Sequence, residues 1–161
     1  KTFIYAFLYG AGDAKIGSIV GGSAKDGKRL KEKFLANTPA LGDLRERVGL
    51  AAGRGYVLGL DRRRVAIRSS HAALNSLLQS AGAIIMKKAL CLLHEYATLW
   101  GIDFHIIGNI HDEIQTEVRE EKAEVFGRLA TSCVEAAGTY YKLNCPLAGD
   151  YKVGNTWADT H

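Results

Sequence analysis

The spacing of apolar residues along the chain predicts five helical regions and two β-hairpins. Helical periodicity runs through residues 1–10, 14–20, 26–48, 71–100 and 120–142, and Pro39 is expected to break the third region. The β-rich runs YVLGL and RVAIR predict one hairpin. The runs IDFHIIGNI and EIQTEV predict another, with His-Asp-Glu at its tip. Residues 146–161 are predicted to form a last strand and a tail.

The apolar positions of each helix predict the face that it buries. In the long helix, and again in residues 120–142, the apolar positions are expected to form the buried face. The expected buried residues are Ile4, Phe7, Leu8 and Ala11 in the first helix, Leu74, Leu77, Leu78, Ala81, Ile84, Ile85 and Leu92 in the long helix, and Val125, Leu129, Cys133, Ala136 and Ala137 in residues 120–142.

Two helices carry polar or aromatic stripes on another side. Lys1, Tyr5 and Tyr9 recur four residues apart in the first helix, and so do His71, Asn75 and Gln79 in the long helix, where Gly82 continues the stripe. A lysine suits phosphate, and aromatic rings stack on bases. A stripe that ends in glycine lets a ligand approach the backbone. Each stripe is also compatible with an ordinary helix surface.

Two adjacent carboxylates, Asp112 and Glu113, lie at the tip of the second predicted hairpin. At a tight turn both side chains can reach one edge of the sheet. Carboxylate oxygens are ligands that suit Mg²⁺ or Mn²⁺, and such ions promote phosphoryl transfer. The pair could equally be an ordinary polar turn, so the tripeptide alone does not decide between a metal site and a turn.

Charge is distributed unevenly along the chain. Residues 1–80 hold 14 Lys and Arg against 6 Asp and Glu, whereas residues 81–161 hold 7 against 11. A basic half joined to an acidic half suggests that one half holds a polyanion and the other gathers cations. The change near residue 80 is the only hint of a subdomain border, and it falls inside the long predicted helix.

The remaining bulk properties narrow the class of protein. The three cysteines, Cys91, Cys133 and Cys145, form no CxxC pair and are expected to be reduced and mostly buried. We find no signal peptide and expect no membrane-spanning segment, which suggests a cytoplasmic protein. Because the chain begins at Lys1, inside the first predicted helix, we expect a fragment or a processed piece of a longer protein.

Three segments, in order, resemble family A DNA polymerases. KTFIYAFLYG fits the K-x3-[FY]-x3-Y-G core of their motif B, and IHDEIQTEV is similar to motif C. Between them, GLDRRRVAIRSSHAALNSLLQSAGA resembles the replicative DNA polymerases of the T-odd phages, as does the terminal NTWADTH. The resemblance covers nearly the whole chain and is closer to the phage branch than to bacterial DNA polymerase I.

The resemblance implies roles for residues in nucleotide addition. Lys1 would contact the phosphates of the incoming deoxynucleotide, Tyr5 its sugar, and Tyr9 would stack near the templating base. Asp112 would bind catalytic Mg²⁺ or Mn²⁺ with help from Glu113, so that Asp112, Glu113 and Lys1 are the expected catalytic residues.

Other residues are implied to hold primer–template DNA. His111 would support the primer end beside the nucleotide, Asn75 and Gln79 would follow the minor groove, and His71 stands where the bacterial branch has Arg. Arg68 is the foremost candidate for phosphate contacts; the other candidates are Arg54, Arg62, Arg63 and Arg64.

The implied fold is α+β, with residues 1–70 as a partial helical fingers subdomain that starts inside the motif B helix. Residues 71–161 would form a partial palm with an antiparallel sheet, packed helices and a C-terminal strand. The segment between Arg45 and Leu60 is shorter than its counterpart in the phage enzymes.

Motif A, which supplies the family's other metal-binding Asp, has no counterpart in the sequence. We therefore expect these 161 residues to be inactive until they are joined or bound to an N-terminal polymerase portion. Two other functions stay open: part of a phage-type single-subunit RNA polymerase, and a non-catalytic nucleic-acid-binding remnant. The Tyr5 position and the Glu that follows Asp112 favour the DNA enzyme.

Overall fold

A computed structural model describes residues 1–69 and 72–161. Helices predominate, with two small antiparallel sheets, which confirms the predicted α+β class. The chain divides into two compact units, Lys1–Ser80 and Ala81–His161. The elements in chain order are α1 (Thr2–Leu8), α2 (Asp13–Ile19), α3 (Ala24–Asn37), α4 (Pro39–Ala52), β1 (Tyr56–Leu58), β2 (Arg64–Ala66), α5 (Ala73–Leu99), β3 (Phe104–Ile110), β4 (Glu113–Val118), α6 (Glu120–Tyr140) and α7 (Trp157–Thr160).

Helix α1 is anchored to α3 through aromatic rings. The Phe3 and Phe7 rings meet the ring of Phe34 edge-on, with centroids 5.2 Å and 5.1 Å away. Phe7 is buried, and the Arg45 guanidinium lies over the Phe7 ring, 5.6 Å from its centroid. Edge-to-face pairs of this kind add to the stability that apolar burial provides. The anchoring leaves the opposite side of α1 facing solvent.

Helices α2 and α3 meet backbone to backbone at two buried glycines. A Cβ at Gly27 would lie 2.6 Å from the backbone N of Gly17 and press against the carbonyl of Asp13. Lys31 secures the contact because its ammonium donates to the Asp13 carboxylate at 2.8 Å. The hydrogen bond from Lys31 lowers the pKa of Asp13. The two helices therefore pack without side chains at their closest point.

Replacing Gly27 with Ala is expected to destabilise residues 1–80 by about 1–3 kcal/mol, because the added methyl group forces α2 and α3 apart. The measurement is chemical denaturation followed by circular dichroism. Gly49→Ala is the matched control: a Cβ there meets nothing within 4 Å, and alanine inside an exposed helix stabilises by about 0.5–1 kcal/mol. Equal stability of the two variants would contradict the close contact.

The first predicted hairpin is confirmed and has its own small core. Strands β1 and β2 pair antiparallel, with Tyr56 opposite Ala66 and Val57 opposite Val65. The cluster beneath them joins this hairpin to α4 and the start of α5. Its buried members are Val48, Val57, Ala73 and Leu74. Pro39 lies in the first turn of α4, where its missing N–H costs nothing, so the predicted break becomes a helix start.

The second hairpin and helix α6 lie within residues 81–161. Strands β3 and β4 pair antiparallel from Phe104↔Val118 to Ile110↔Glu113, with an irregularity between Ile106 and Gly108. This confirms the second predicted hairpin. The α6 core packs against the second half of α5. Its buried members are Leu93, Ala97, Ile102, Phe126, Leu129 and Cys133.

The predicted C-terminal strand is wrong. Residues 146–154 have no regular secondary structure and pair with none of the strands in the described part of the chain, and residues 157–160 form the short helix α7. This segment packs against α6 instead. The Tyr151 ring fills the space that a side chain at Gly127 would need, and Leu147 does the same at Gly138. This segment therefore packs against glycines of α6 and does not pair with a strand of the described residues.

Three apolar residues predicted to be buried are exposed: Ile4 at 46%, Leu78 at 37% and Val125 at 37%. The neighbouring Phe126 is buried in place of Val125, whereas Leu129, Cys133 and Ala137 of the predicted α6 face are buried as expected. The cysteines are free, as expected, but Cys91 and Cys145 are exposed. Burial raises the pKa of the Cys133 thiol.

Helix α5 is long and apolar enough to cross a membrane by length and composition alone. Its most apolar window has a mean hydropathy of 1.4 and is 17% buried. The same composition is common in core helices. Four residues of α5, Ala73, Leu74, Leu93 and Ala97, are buried within the two clusters described above.

Candidate nucleotide and nucleic-acid site

The tip of the β3–β4 hairpin is a two-residue turn formed by His111 and Asp112. Ile110 pairs with Glu113 directly beneath it. His111 has φ +56°, and a positive φ at the first turn position alone is the pattern of a type II′ turn, where glycine is usual. Histidine at this φ is less common than glycine. Both turn residues, His111 and Asp112, are exposed.

The two carboxylates at the tip have different surroundings. Asp112 is exposed and makes no hydrogen bond or ion pair with any residue in 1–69 or 72–161. Both oxygens of Glu113 are engaged: the Gln115 amide donates to one at 2.6 Å, and Nδ1 of His161 lies 3.0 Å from the other. The hydrogen bond from Gln115, followed by that from His161, lowers the pKa of Glu113. The two adjacent acids therefore differ in their contacts: two side chains hold the Glu113 carboxylate, whereas the Asp112 carboxylate is exposed to solvent.

The chemistry of this tip fits a hydrated divalent cation. A free carboxylate beside a second, ionised one offers hard oxygen ligands of the kind that Mg²⁺ prefers. Within the described ranges, no group of three or more His, Cys, Asp and Glu side chains could enclose a metal ion. A cation at Asp112 would therefore take its other ligands from water, phosphate oxygens or further acids.

The outward side of α1 presents Lys1, Tyr5 and Tyr9, as the sequence predicted. Tyr5 is 54% exposed and Tyr9 is 59% exposed. Lys1 is also exposed and has no partner in the described part of the chain. The aromatic anchor on the other side of α1 holds this surface in place. A cation and two rings along one ridge can contact a phosphate, a sugar and a base together.

The two predicted stripes meet within residues 1–80. The Gln79 amide on α5 donates a hydrogen bond to the Tyr9 hydroxyl at 3.2 Å. Asn75, one turn earlier, is half-buried. Gly82 continues the stripe and faces open space, because a Cβ there would meet nothing within 4 Å. His71 lies outside the described residues.

Arginines of the β1–β2 hairpin form a basic surface. The guanidinium groups of Arg54 and Arg64 lie 5.8 Å and 4.8 Å from the centre of the Tyr56 ring. Arg63 pairs with Asp61 at 2.6 Å, and this contact lowers the pKa of Asp61. Arg62 and Arg68 are exposed. Contact with the Tyr56 ring orients the guanidinium groups. Guanidinium groups on an exposed surface can bind the phosphates of a nucleic-acid backbone.

The structure thus groups the predicted residues in two places. The α1 ridge, Asn75, Gln79 and the arginines belong to residues 1–80, whereas His111, Asp112 and Glu113 belong to residues 81–161. That these two groups face one nucleotide stays a prediction, as do the individual roles of the residues and the fingers and palm boundary at residue 70.

Sequence reasoning missed Gln115, Thr160 and His161 as neighbours of the acidic tip. Gln115 could have been found, since it lies two residues after Glu113 on the same strand and therefore on the same face. No local pattern connects His161 to Glu113, which lies 48 residues earlier.

The family model and the relatives that match this chain are those of DNA polymerases. The model of DNA polymerase family A matches residues 1–159. The chain is 43% identical over 183 residues to the DNA-directed DNA polymerase of Escherichia phage T7, covering all of this chain and 26% of that protein. It is 40% identical over 168 residues to the DNA-directed DNA polymerase of Escherichia phage Phieco32, covering all of this chain and 27% of that protein.

A solved structure has the same fold. The POL domain of Pol1 from M. smegmatis, in complex with DNA primer-template and dNTP, superposes with a TM-score of 0.76 over 84% of this chain and 26% of that one. Sequence identity there is 22%. The chain spans about a quarter of the length of the phage relatives that it matches.

Proposed function

This chain belongs to DNA polymerase family A, and on that premise we propose that it forms the fingers and palm portion of a DNA-directed DNA polymerase. The proposal rests on the exposed carboxylate of Asp112 at the tip of a hairpin, which has no partner among the residues that the structure describes, in a chain of this family. The proposed reaction is template-directed addition of a deoxynucleotide to a primer. The proposed location is the cytoplasm, that of a host cell if a phage encodes the protein.

The proposed division of labour follows the chemistry of each side chain. Asp112, assisted by Glu113, would hold Mg²⁺ or Mn²⁺, and a bound divalent ion supplies positive charge that stabilises phosphoryl transfer. Lys1 places a cation where the triphosphate loses pyrophosphate, which favours departure of the negative leaving group. Tyr5 lies against the sugar and Tyr9 near the templating base.

Binding of primer–template DNA would use the remaining surface. Asn75 and Gln79 carry amides that can donate to minor-groove acceptors, which all base pairs share, so pair geometry is checked without reading sequence. His111, exposed at the hairpin tip, would support the primer end, and His71 is proposed as a further contact to DNA. Arg68 and the hairpin arginines would hold phosphates.

We propose that catalysis needs a second metal-binding carboxylate in addition to that of Asp112. The two-metal mechanism of phosphoryl transfer uses acids from separate segments, and the counterpart expected from motif A is not among these 161 residues. We call the chain joined or bound to the preceding portion of such a polymerase the assembled polymerase. Family A membership and the phage relatives favour it over a single-subunit RNA polymerase.

Primer extension with matched nucleotides tests the proposed function. On a DNA primer–template, the assembled polymerase is expected to incorporate deoxynucleotides at least about 100-fold more efficiently than ribonucleotides, since a site shaped for one sugar excludes the other. Equal use of both sugars, or a preference for ribonucleotides, would support the RNA polymerase instead. DNA binding with no synthesis would support a non-catalytic remnant.

A further inference from the structure

The last residues of the chain fold back against the acidic hairpin tip. Helix α7 begins with a capping box in which the Asp159 carboxylate accepts from the backbone N–H and the hydroxyl of Thr156, at 2.9 Å and 2.8 Å. The backbone N–H of Asn155 donates to the same carboxylate at 3.1 Å. A capping box fixes the start of a helix, so this short turn holds its shape and presents His161 in a defined direction.

The tip receives this segment through a chain of hydrogen bonds. The Thr160 hydroxyl shares its proton between the Trp157 carbonyl at 3.2 Å and the amide oxygen of Gln115 at 3.3 Å, and the Gln115 NH₂ group donates to Glu113. Nδ1 of His161 reaches the other oxygen of Glu113 at 3.0 Å. Three side chains, Gln115, Thr160 and His161, therefore form one network around the Glu113 carboxylate.

This arrangement separates the two adjacent acids. A flexible Glu113 could turn toward a cation at Asp112 or away from it, whereas a Glu113 held at both oxygens has one orientation. Partners of this kind fix the ligands of metal sites and tune their affinity. The network leaves Asp112 as the unengaged carboxylate of the pair.

We propose that Gln115 and His161 are positioning residues that hold Glu113 in a fixed orientation beside the cation at Asp112. The inference rests on the proposed function, because it assumes that Asp112 binds a divalent cation. It adds to that function the two residues that set the geometry of the second acid. The chain end is thereby part of the site.

The test measures Mn²⁺ binding to the 161-residue chain through paramagnetic broadening of backbone amide signals at residues 110–114. His161→Ala is expected to weaken Mn²⁺ binding about tenfold, the lower end of the effect of removing such a partner. It is also expected to shift the side-chain amide signal of Gln115. His161→Asn places an amide N–H near the position of Nδ1 and is expected to restore both readouts.

Two controls make the outcome decisive. His105→Ala removes an exposed imidazole from the same hairpin and is expected to change neither readout. Asp112→Asn is expected to remove the broadening. If broadening persists in Asp112→Asn, the metal role of the proposed function fails. If Asp112→Asn removes it while His161→Ala binds Mn²⁺ like the unaltered chain, only the positioning role fails.

Discussion

Replacing Asp112 with Asn in the assembled polymerase is expected to lower the rate of nucleotide addition by about a thousandfold or more. Asparagine keeps the shape of the side chain but removes the negative charge and one oxygen ligand. In this chain, no other side chain at the tip offers a carboxylate without a partner, since both oxygens of Glu113 are engaged. A thousandfold loss corresponds to about 4 kcal/mol of transition-state stabilisation, a size that metal and electrostatic effects supply.

Single-turnover primer extension measures this rate, and fluorescence anisotropy measures primer–template affinity in parallel. Affinity is expected to change by less than about threefold, because phosphate contacts come from basic residues elsewhere. Asp103→Asn is the matched control. Asp103 is exposed and meets Arg119 at 3.5 Å, a surface pair of small energetic value. Synthesis that survives in Asp112→Asn, or that falls together with DNA affinity, would contradict the assignment of Asp112.

Replacing Lys1 with Ala in the assembled polymerase is expected to lower kcat/KM for the incoming nucleotide by about 100-fold to 1000-fold. The ammonium group is the only charge on the exposed ridge of Lys1, Tyr5 and Tyr9. Its proposed contact is with phosphates whose negative charge moves onto pyrophosphate as the reaction proceeds. Losing one such stabilising group typically costs an effect of this size.

Steady-state incorporation of a single nucleotide gives kcat and KM separately for Lys1→Ala. Lys1→Arg keeps the positive charge and is expected to retain part of the activity, because guanidinium also binds phosphate. Lys15→Ala, which removes an exposed lysine from α2, serves as the control for net charge. A loss equal to that of Lys15→Ala would show that Lys1 contributes only general basic charge.

Local patterns were sufficient wherever one short segment determines the outcome. The ridge of α1 follows from four-residue spacing, because helical geometry alone puts Lys1, Tyr5 and Tyr9 on one side. The exposed acidic tip follows from two β-rich runs separated by a tight turn. The break at Pro39 follows from proline chemistry. In each case the interactions that determine the structure lie within one short segment.

Patterns failed where distant segments decide the structure. The glycines of α6 indicate no particular neighbour in the sequence, yet Tyr151 packs at Gly127 and Leu147 at Gly138, in the segment expected to form the last strand. Gly17 and Gly27 likewise matter only because α2 and α3 approach closely. The contact of His161 with Glu113 depends on the fold of the entire second unit. Periodicity cannot predict such pairings.

We propose that Lys1 and a cation bound to Asp112 contact phosphates of the same nucleotide. The structure of the assembled polymerase with primer–template, a non-hydrolysable deoxynucleotide and Mg²⁺ tests it most directly. We expect Nζ of Lys1 and a cation bound to Asp112 to contact phosphate oxygens of the same nucleotide. A nucleotide that contacts only one of these groups, with the other facing away, would contradict it.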